Sequence, residues 1–164
     1  MTEISSLSDA WDRQGLLRDV LAQFRISREG VHGPNHWARV RHHGIAIGSE
    51  LGADLLVVEL FAFLHDSQRF NEYEDHLHGE RAAEYAVSLN HIYFELKPKR
   101  LDDLAHAIRF HSEGEVHHCS TIQTCWDADR LDLGRVGIKP SASYLSVHAA
   151  EKIEHAYRWS RSKF

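Results

Sequence analysis

The chain has little of what secreted or membrane proteins depend on. Cys119 and Cys125 are its only cysteines, and their spacing fits neither a disulfide framework nor a zinc ribbon. The longest nearly apolar run, residues 55–64, contains Glu59 and is too short to span a bilayer. Residues 1–8 have neither a basic start nor an apolar stretch, which argues against an export signal. We therefore expect a cytoplasmic protein that makes no membrane contact.

Basic charge is also scarce. The chain has 19 Lys and Arg against 24 Asp and Glu, a net charge of -5, so we expect no nucleic-acid partner. No linker or repeat divides the 164 residues, and this length predicts a single domain over residues 1–164. The oligomeric state cannot be read from the sequence, and a homo-oligomer is compatible with it.

Apolar residues recur three or four positions apart along most of the chain, and no segment has the alternation of a strand. This pattern predicts an all-α fold, a bundle of six or seven helices. Gly52 is placed to end the second helix, and Asp54 to cap the third. The predicted helices cover residues 11–24, 36–51, 55–64, 79–89, 98–111, 121–131 and 144–159, with loops at 68–78 and 134–141.

Histidine is abundant, with 14 copies, and it is the commonest metal ligand in proteins. Four predicted helices carry a ligand-type residue on the apolar face or at the end of an apolar run: His36, the pair His65 and Asp66, His111, and Asp129. Neighbouring residues of a helix diverge by about 100°, so adjacent ligands suit a carboxylate that bridges two ions. The sequence therefore predicts a buried metal site.

Asp127 competes with Asp129 for the role of ligand, because both lie in one acidic segment. Asp129 is four residues from Cys125 and three from Trp126, on the inward face of the predicted helix. Asp127 lies two residues away, on roughly the opposite face. Helical phase favours Asp129.

These residues resemble the signature of the HD-domain metal-dependent phosphohydrolases: a histidine, an adjacent His-Asp pair, and a distant aspartate. The matching positions are His36 in HWARV, His65 and Asp66 in FLHDSQR, and Asp129 in DADRLD. The resemblance covers about residues 30–135 and implies that these four side chains bind a metal ion.

The resemblance extends to a subset of that family with two metal ions, through Arg69, His78 and His111. A histidine pair found in some members is His111-Ser112 here. The resemblance implies that His78 and His111 bind a second ion or protonate the leaving oxygen, and that Asp66 orients the attacking water. Arg69 and Arg130 are then the candidates for holding the substrate phosphate.

Imidazole and carboxylate ligands are compatible with one or two ions of Mn, Fe, Co, Ni, Zn or Mg. The resemblance implies a hydrolase that cleaves a phosphate ester of a nucleotide or similar small metabolite, either a phosphomonoesterase or a phosphodiesterase. Three alternatives stay open: a non-catalytic nucleotide-binding or regulatory module anchored by metal, a closed structural metal site, and an oxygenase with paired iron.

Simpler interpretations of single residues also stay open. His65 and Asp66 are compatible with a buried ion pair, Asp129 with a helix cap, and Arg69 with a solvated loop position. His43 faces inward on the predicted second helix and is a candidate partner for a ligand, whereas His32 is more simply a turn residue.

Overall fold

The computed structural model describes residues 11–162, which form eight α-helices and two short 3-10 helices. The helices are α1 Arg13–Gln23, α2 Pro34–Leu51, α3 Leu55–Leu64, α4 His78–Leu89, α5 Pro98–Arg109, α6 Ser120–Leu131, α7 Val147–Ala150 and α8 Ile153–Arg161. The 3-10 helices are Asp132–Val136 and Ala142–Tyr144. No strand occurs within residues 11–162, so the all-α prediction is confirmed. Residues 1–8, used above to predict location, lie outside the described range.

Helix α3 is the centre of the structure, as its apolar sequence predicts. All of its residues after Leu55 are buried, and it packs against α2, α5 and α6. The Asp54 carboxylate accepts a hydrogen bond from the Val57 N–H at the start, and Gly52 ends α2 at φ 69°. The buried Glu59 carboxylate accepts hydrogen bonds from Arg13 and Arg41 at 2.6 and 3.3 Å, which offsets the cost of burying its charge.

The last predicted helix, residues 144–159, is wrong in its extent. Asp127 accepts hydrogen bonds from the N–H and hydroxyl of Ser146, and the Ser146 hydroxyl caps α7 through the Ala149 N–H. These bonds hold Ser146 outside the helix, so the helix cannot begin at Tyr144. Three residues after Ala149, the Lys152 N–H bonds to the Ala149 carbonyl, and α8 follows as a separate helix.

A close approach between α4 and α5 positions two of the candidate ligands. A Cβ atom at Gly79 would lie 2.7 Å from the Arg109 carbonyl oxygen and 3.0 Å from that of Ile108. Only glycine allows the start of α4 to approach the end of α5 so closely. His78 precedes Gly79, and His111 follows α5 by two residues, so this contact brings the two imidazoles together.

Within residues 11–162, no helix combines the length and the apolar character that crossing a membrane requires.

Candidate metal centre

Five helices bring the candidate ligands together at their ends. His36 lies in the first turn of α2, His65 and Asp66 follow α3, and Asp129 lies in the last turn of α6. His78 begins α4, and His111 follows α5. Their side chains are buried, with Asp129 the most exposed at 14%. The structure therefore places all six candidates around one buried region.

The first group of donor atoms consists of His36, His65, Asp66 and Asp129. The Nε2 atoms of His36 and His65 face each other at 3.0 Å. Asp129 Oδ1 lies 3.2 and 3.3 Å from these two nitrogens, and Asp66 Oδ2 lies 3.4 and 3.2 Å from them. Asp129 Oδ1 is buried and has no hydrogen-bond partner among residues 11–162. Three helices, α2, α3 and α6, thus direct two imidazoles and two carboxylates at one point.

The second group consists of Asp66, His78 and His111. The Nε2 atoms of His78 and His111 lie 2.9 Å apart, and Asp66 Oδ1 lies 3.5 and 3.4 Å from them. Within residues 11–162, the trios His36, His65, Asp66 and Asp66, His78, His111 each offer donor atoms within 4.8 Å of one another. The two oxygens of Asp66 therefore face different groups, as a bridging carboxylate would.

Hydrogen bonds at the other ring nitrogen fix how the four imidazoles are protonated. Nδ1 of His65 faces the carbonyls of Phe61 and Ala62 at 3.1 and 3.2 Å. Nδ1 of His78 faces the Asp75 carbonyl at 2.5 Å, and Nδ1 of His111 the Ile108 carbonyl at 2.6 Å. Since a carbonyl oxygen only accepts, each Nδ1 is the donor, and in the neutral ring Nε2 presents its lone pair.

His36 follows the same rule with a carboxylate as its partner. Its Nδ1 lies 2.6 Å from Asp132 Oδ2, and the other Asp132 oxygen accepts from Arg39 Nε at 2.6 Å. In metal sites, a carboxylate often accepts a hydrogen bond from the histidine nitrogen that does not bind the metal, and this bond fixes the tautomer. The structure thus presents four lone pairs in two facing pairs, which repel unless a cation or a proton lies between them. This donor set fits a divalent cation in each group.

The pKa values of His65, Asp66 and Asp129 also indicate that positive charge stabilises this cluster. Burial alone would lower the pKa of His65, but the charges of Asp66 and Asp129 raise it to about 10. Burial likewise opposes ionisation of both aspartates, yet His65 holds their pKa values well below the usual range. Without a metal, a proton on His65 neutralises part of the cluster. A bound cation would replace that proton.

A cavity of 330 Å³ opens from the two groups toward solvent. Its wall includes Asp66, Asp129, His78 and His111, three arginines, and a more exposed side made of Ser112, Gly114, Ser141 and Tyr144. His32 and Leu133 complete the wall. The arginines are Arg69, Arg130 and Arg135. Three guanidinium groups beside a cation site favour an anionic ligand.

Arg69 is largely engaged in holding the neighbouring loop. Its Nε donates to the Asn71 carbonyl at 3.1 Å and its Nη2 to the Tyr73 carbonyl at 2.6 Å. Its Nη1 lies 3.3 Å from both ring nitrogens of His78. The guanidinium therefore fixes residues 71–73 beside His78, and a solvated position for Arg69 is excluded by its 5% exposure.

Arg130 is also buried, and its Nη1 donates to the Tyr144 carbonyl at 2.7 Å. Asp127 lies away from every imidazole of the site and accepts hydrogen bonds from Gln123 and Ser146. Asp129 therefore lies beside the imidazoles, and Asp127 does not.

Sequence reasoning missed three residues of this region, Asp132, Arg39 and Arg135. Asp132 follows Asp129 by three residues, and Arg39 follows His36 by three, so each shares a helical face with a ligand. That spacing could have identified both. Arg135 is held by the Val31 and Asp132 carbonyls at 2.8 and 2.9 Å, contacts that no local pattern signals.

His32 and His43 both lie outside the two donor groups. His32 lies in the cavity wall, with Nδ1 3.3 Å from Glu72, rather than being only a turn residue. His43 is buried against Trp159, with ring centroids 5.2 Å apart, and its Nε2 has no hydrogen-bond partner in the described part of the chain. His43 is therefore a packing residue and contacts none of the ligands through a hydrogen bond.

No family model and no curated protein match the chain. Among solved structures, it resembles a predicted HD superfamily hydrolase from an uncultured Thermotogales bacterium, with a TM-score of 0.72 and 24% sequence identity. The match covers 96% of this chain and 92% of the other. The chain therefore shares the fold of that protein.

Proposed function

We propose that the protein is a metal-dependent hydrolase that cleaves a phosphate ester of a nucleotide or similar small metabolite. One observation carries this proposal: Asp66 presents one oxygen to His36 and His65 and the other to His78 and His111. A shared carboxylate between two donor groups is the arrangement that holds paired ions in two-metal hydrolytic sites.

In this proposal the first cation binds to His36, His65, Asp66 and Asp129, and the second to Asp66, His78 and His111. When bound, such cations supply Lewis acidity, which activates water and neutralises negative charge developing on the phosphoryl group. The solved structure with the same fold is named a predicted hydrolase, which supports hydrolysis as the reaction class.

His78 has two expected roles, ligand or proton donor, and the structure favours the first. Burial and the neighbouring charge of His111 lower the pKa of His78 to about 4. At neutral pH its Nε2 therefore carries a lone pair, because Nδ1 holds the ring proton against the Asp75 carbonyl. We assign His78 and His111 to the second cation.

Arg135 and Arg130 are our candidates for binding the substrate anion, since both line the cavity. Arg69 positions His78 and residues 71–73 and contributes positive charge to the same wall. A cavity of 330 Å³ is at the lower end of the range for small-molecule sites, which agrees with a small metabolite as substrate.

The test combines metal analysis with a panel of phosphomonoesters, phosphodiesters and nucleoside triphosphates, assayed with Mn, Co or Ni. We compare the wild type with Asp66→Asn, and with Asp102→Asn as a matched control on the exposed side of α5. We expect Asp66→Asn to lose bound metal and to reduce turnover more than about 100-fold while melting cooperatively, and Asp102→Asn to behave as wild type.

Two results would contradict the proposal. Nucleotide binding without turnover by the metal-loaded wild type would instead support the non-catalytic binding module. Loss of cooperative folding in Asp66→Asn, with no activity in the wild type, would indicate a closed structural site.

A further inference from the structure

The solvent side of the cavity contains one large aromatic side chain. Of the described residues that line the cavity, Tyr144 is the only Phe, Tyr or Trp. Its side chain is 48% exposed, although it lies beside buried ligands and arginines. An aromatic ring that is half exposed at a ligand cavity offers apolar area that the fold itself does not use.

The backbone around Tyr144 is fixed by buried polar groups. The Tyr144 carbonyl accepts hydrogen bonds from Arg130 Nη1 at 2.7 Å and from Gln123 Nε2 at 3.4 Å. Two residues later, the N–H and hydroxyl of Ser146 donate to the buried Asp127 carboxylate at 3.0 and 2.6 Å. These four hydrogen bonds hold residues 144–146 in place.

All of these anchors belong to α6, which also carries Asp129. Gln123, Asp127 and Arg130 hold the segment, and Asp129 points at the first donor group. The position of the Tyr144 backbone is therefore coupled to that of a proposed metal ligand through one rigid helix. A substrate whose phosphate lies at the donor groups would find the ring at a fixed position along the cavity.

The surroundings of the ring suit a flat partner. The Arg130 guanidinium carbon lies 6.0 Å from the Tyr144 ring centroid and 5.3 Å from that of Trp126. From the opposite loop, Gly114 approaches the ring with no side chain; a Cβ there would lie 3.9 Å from Tyr144 Cε1. Neither contact covers the ring as a bulky side chain would.

We propose that Tyr144 is a specificity residue that stacks on a planar aromatic ring of the substrate, which makes the substrate a nucleotide rather than a simple sugar or polyol phosphate. The inference rests on the proposed function, because it takes the phosphate to lie at the donor groups. Stacking on an aromatic side chain is tolerant of base identity, so the ring selects for a base without selecting which base.

The test uses two substrates that differ only in the base, adenosine 5′-monophosphate and ribose 5-phosphate. It compares the wild type with Tyr144→Leu, with Tyr144→Phe, which keeps the ring, and with Tyr73→Leu. Tyr73 is a matched control, because its side chain is 88% exposed and does not line this cavity. Melting curves establish that each variant folds.

We expect Tyr144→Leu to lower kcat/KM for the nucleotide roughly 5- to 150-fold, mainly through KM, and to leave ribose 5-phosphate unchanged. Tyr144→Phe and Tyr73→Leu should keep the wild-type preference. Calorimetry with the non-hydrolysable methylene-phosphonate analogues of both compounds measures the same preference without turnover.

The two assays separate the two proposals. If neither compound is cleaved but the nucleotide analogue binds more tightly, and this depends on Tyr144, hydrolysis of these monoesters is excluded and the stacking role stands. Equal binding of both analogues by the wild type, or an equal loss for both in Tyr144→Leu, would overturn the stacking role.

Discussion

Asp132→Asn tests the proposed metal centre without changing a ligand. Asp132 and His36 are both fully buried, and Asp132 Oδ2 lies 2.6 Å from His36 Nδ1. A carboxylate can only accept, so it holds the proton on Nδ1 and leaves the Nε2 lone pair for the cation. An amide can donate its N–H instead, which would stabilise the tautomer with the proton on Nε2 and block binding there.

Replacing such a second partner of a metal-binding histidine typically costs 10- to 100-fold in metal affinity, or about 1.4 to 2.8 kcal/mol. We expect the upper part of this range for Asp132→Asn, because the bond is buried and charge-assisted. Asp132 makes no hydrogen bond to His78 or His111, so the second group should keep its affinity. At a free metal concentration between the Kd values of the wild type and the variant for the first group, the variant should bind close to one ion where the wild type binds two.

The assay is a competitive titration against a chelating dye, with metal counted per chain. Asp127→Asn is the matched control, since its carboxylate is also buried but accepts from Ser146 and Gln123. The reasoning would be refuted if Asp132→Asn kept wild-type affinity, or if Asp127→Asn lost as much. Urea unfolding is measured alongside, because Asp132→Asn also weakens the ion pair with the buried Arg39.

Three further predictions concern other parts of the structure. Gly79→Ala should lower the free energy of unfolding by about 1–3 kcal/mol despite the higher helix propensity of alanine, because its Cβ would lie 2.7 Å from the Arg109 carbonyl; unchanged urea denaturation would contradict this. Burial lowers the pKa of His43 from 6.5 to about 4, so the unfolded chain binds more protons between these values and stability falls as the pH falls from 6.5 to 4. The loss through His43 should be roughly 2 kcal/mol between pH 7 and pH 5, and His43→Phe should remove it; an identical pH profile for the variant would speak against this origin. Chelation of metal present at about 100 times its Kd should lower Tm by roughly 5 to 10 °C for each ion removed, with cooperativity kept, whereas a Tm unaffected by chelators would argue against metal binding by the folded state.

The helices that the sequence predicted well are those with local start and stop signals. Asp54, Gly52 and Pro98 mark boundaries that follow from capping and from the fixed φ of proline, and the structure has them there. The apolar run of α3 predicted its central position for the same reason, since a helix that is apolar on all sides must be surrounded. These features depend on neighbours in sequence.

The end of the chain was predicted less well because its structure depends on distant partners. Residues 144–159 have the periodicity of one helix, but Asp127, 19 residues from Ser146, holds that serine outside the helix. The cavity wall also depends on contacts between residues that are distant in sequence. Arg135 reaches it through the Val31 carbonyl, and His32 is held by Glu72, 40 residues away. The helix and turn propensities of neighbouring residues do not predict these contacts.

The candidate metal ligands lie beside an apolar core that contains none of them. The main apolar cluster joins α1 to α6 through residues such as Leu60, Phe61, Ile108 and Trp126, which have no role as ligands. A proton on His65 offsets part of the charge of Asp66 and Asp129. Metal binding must then compete with that proton, and affinity should rise with pH as the cluster loses it.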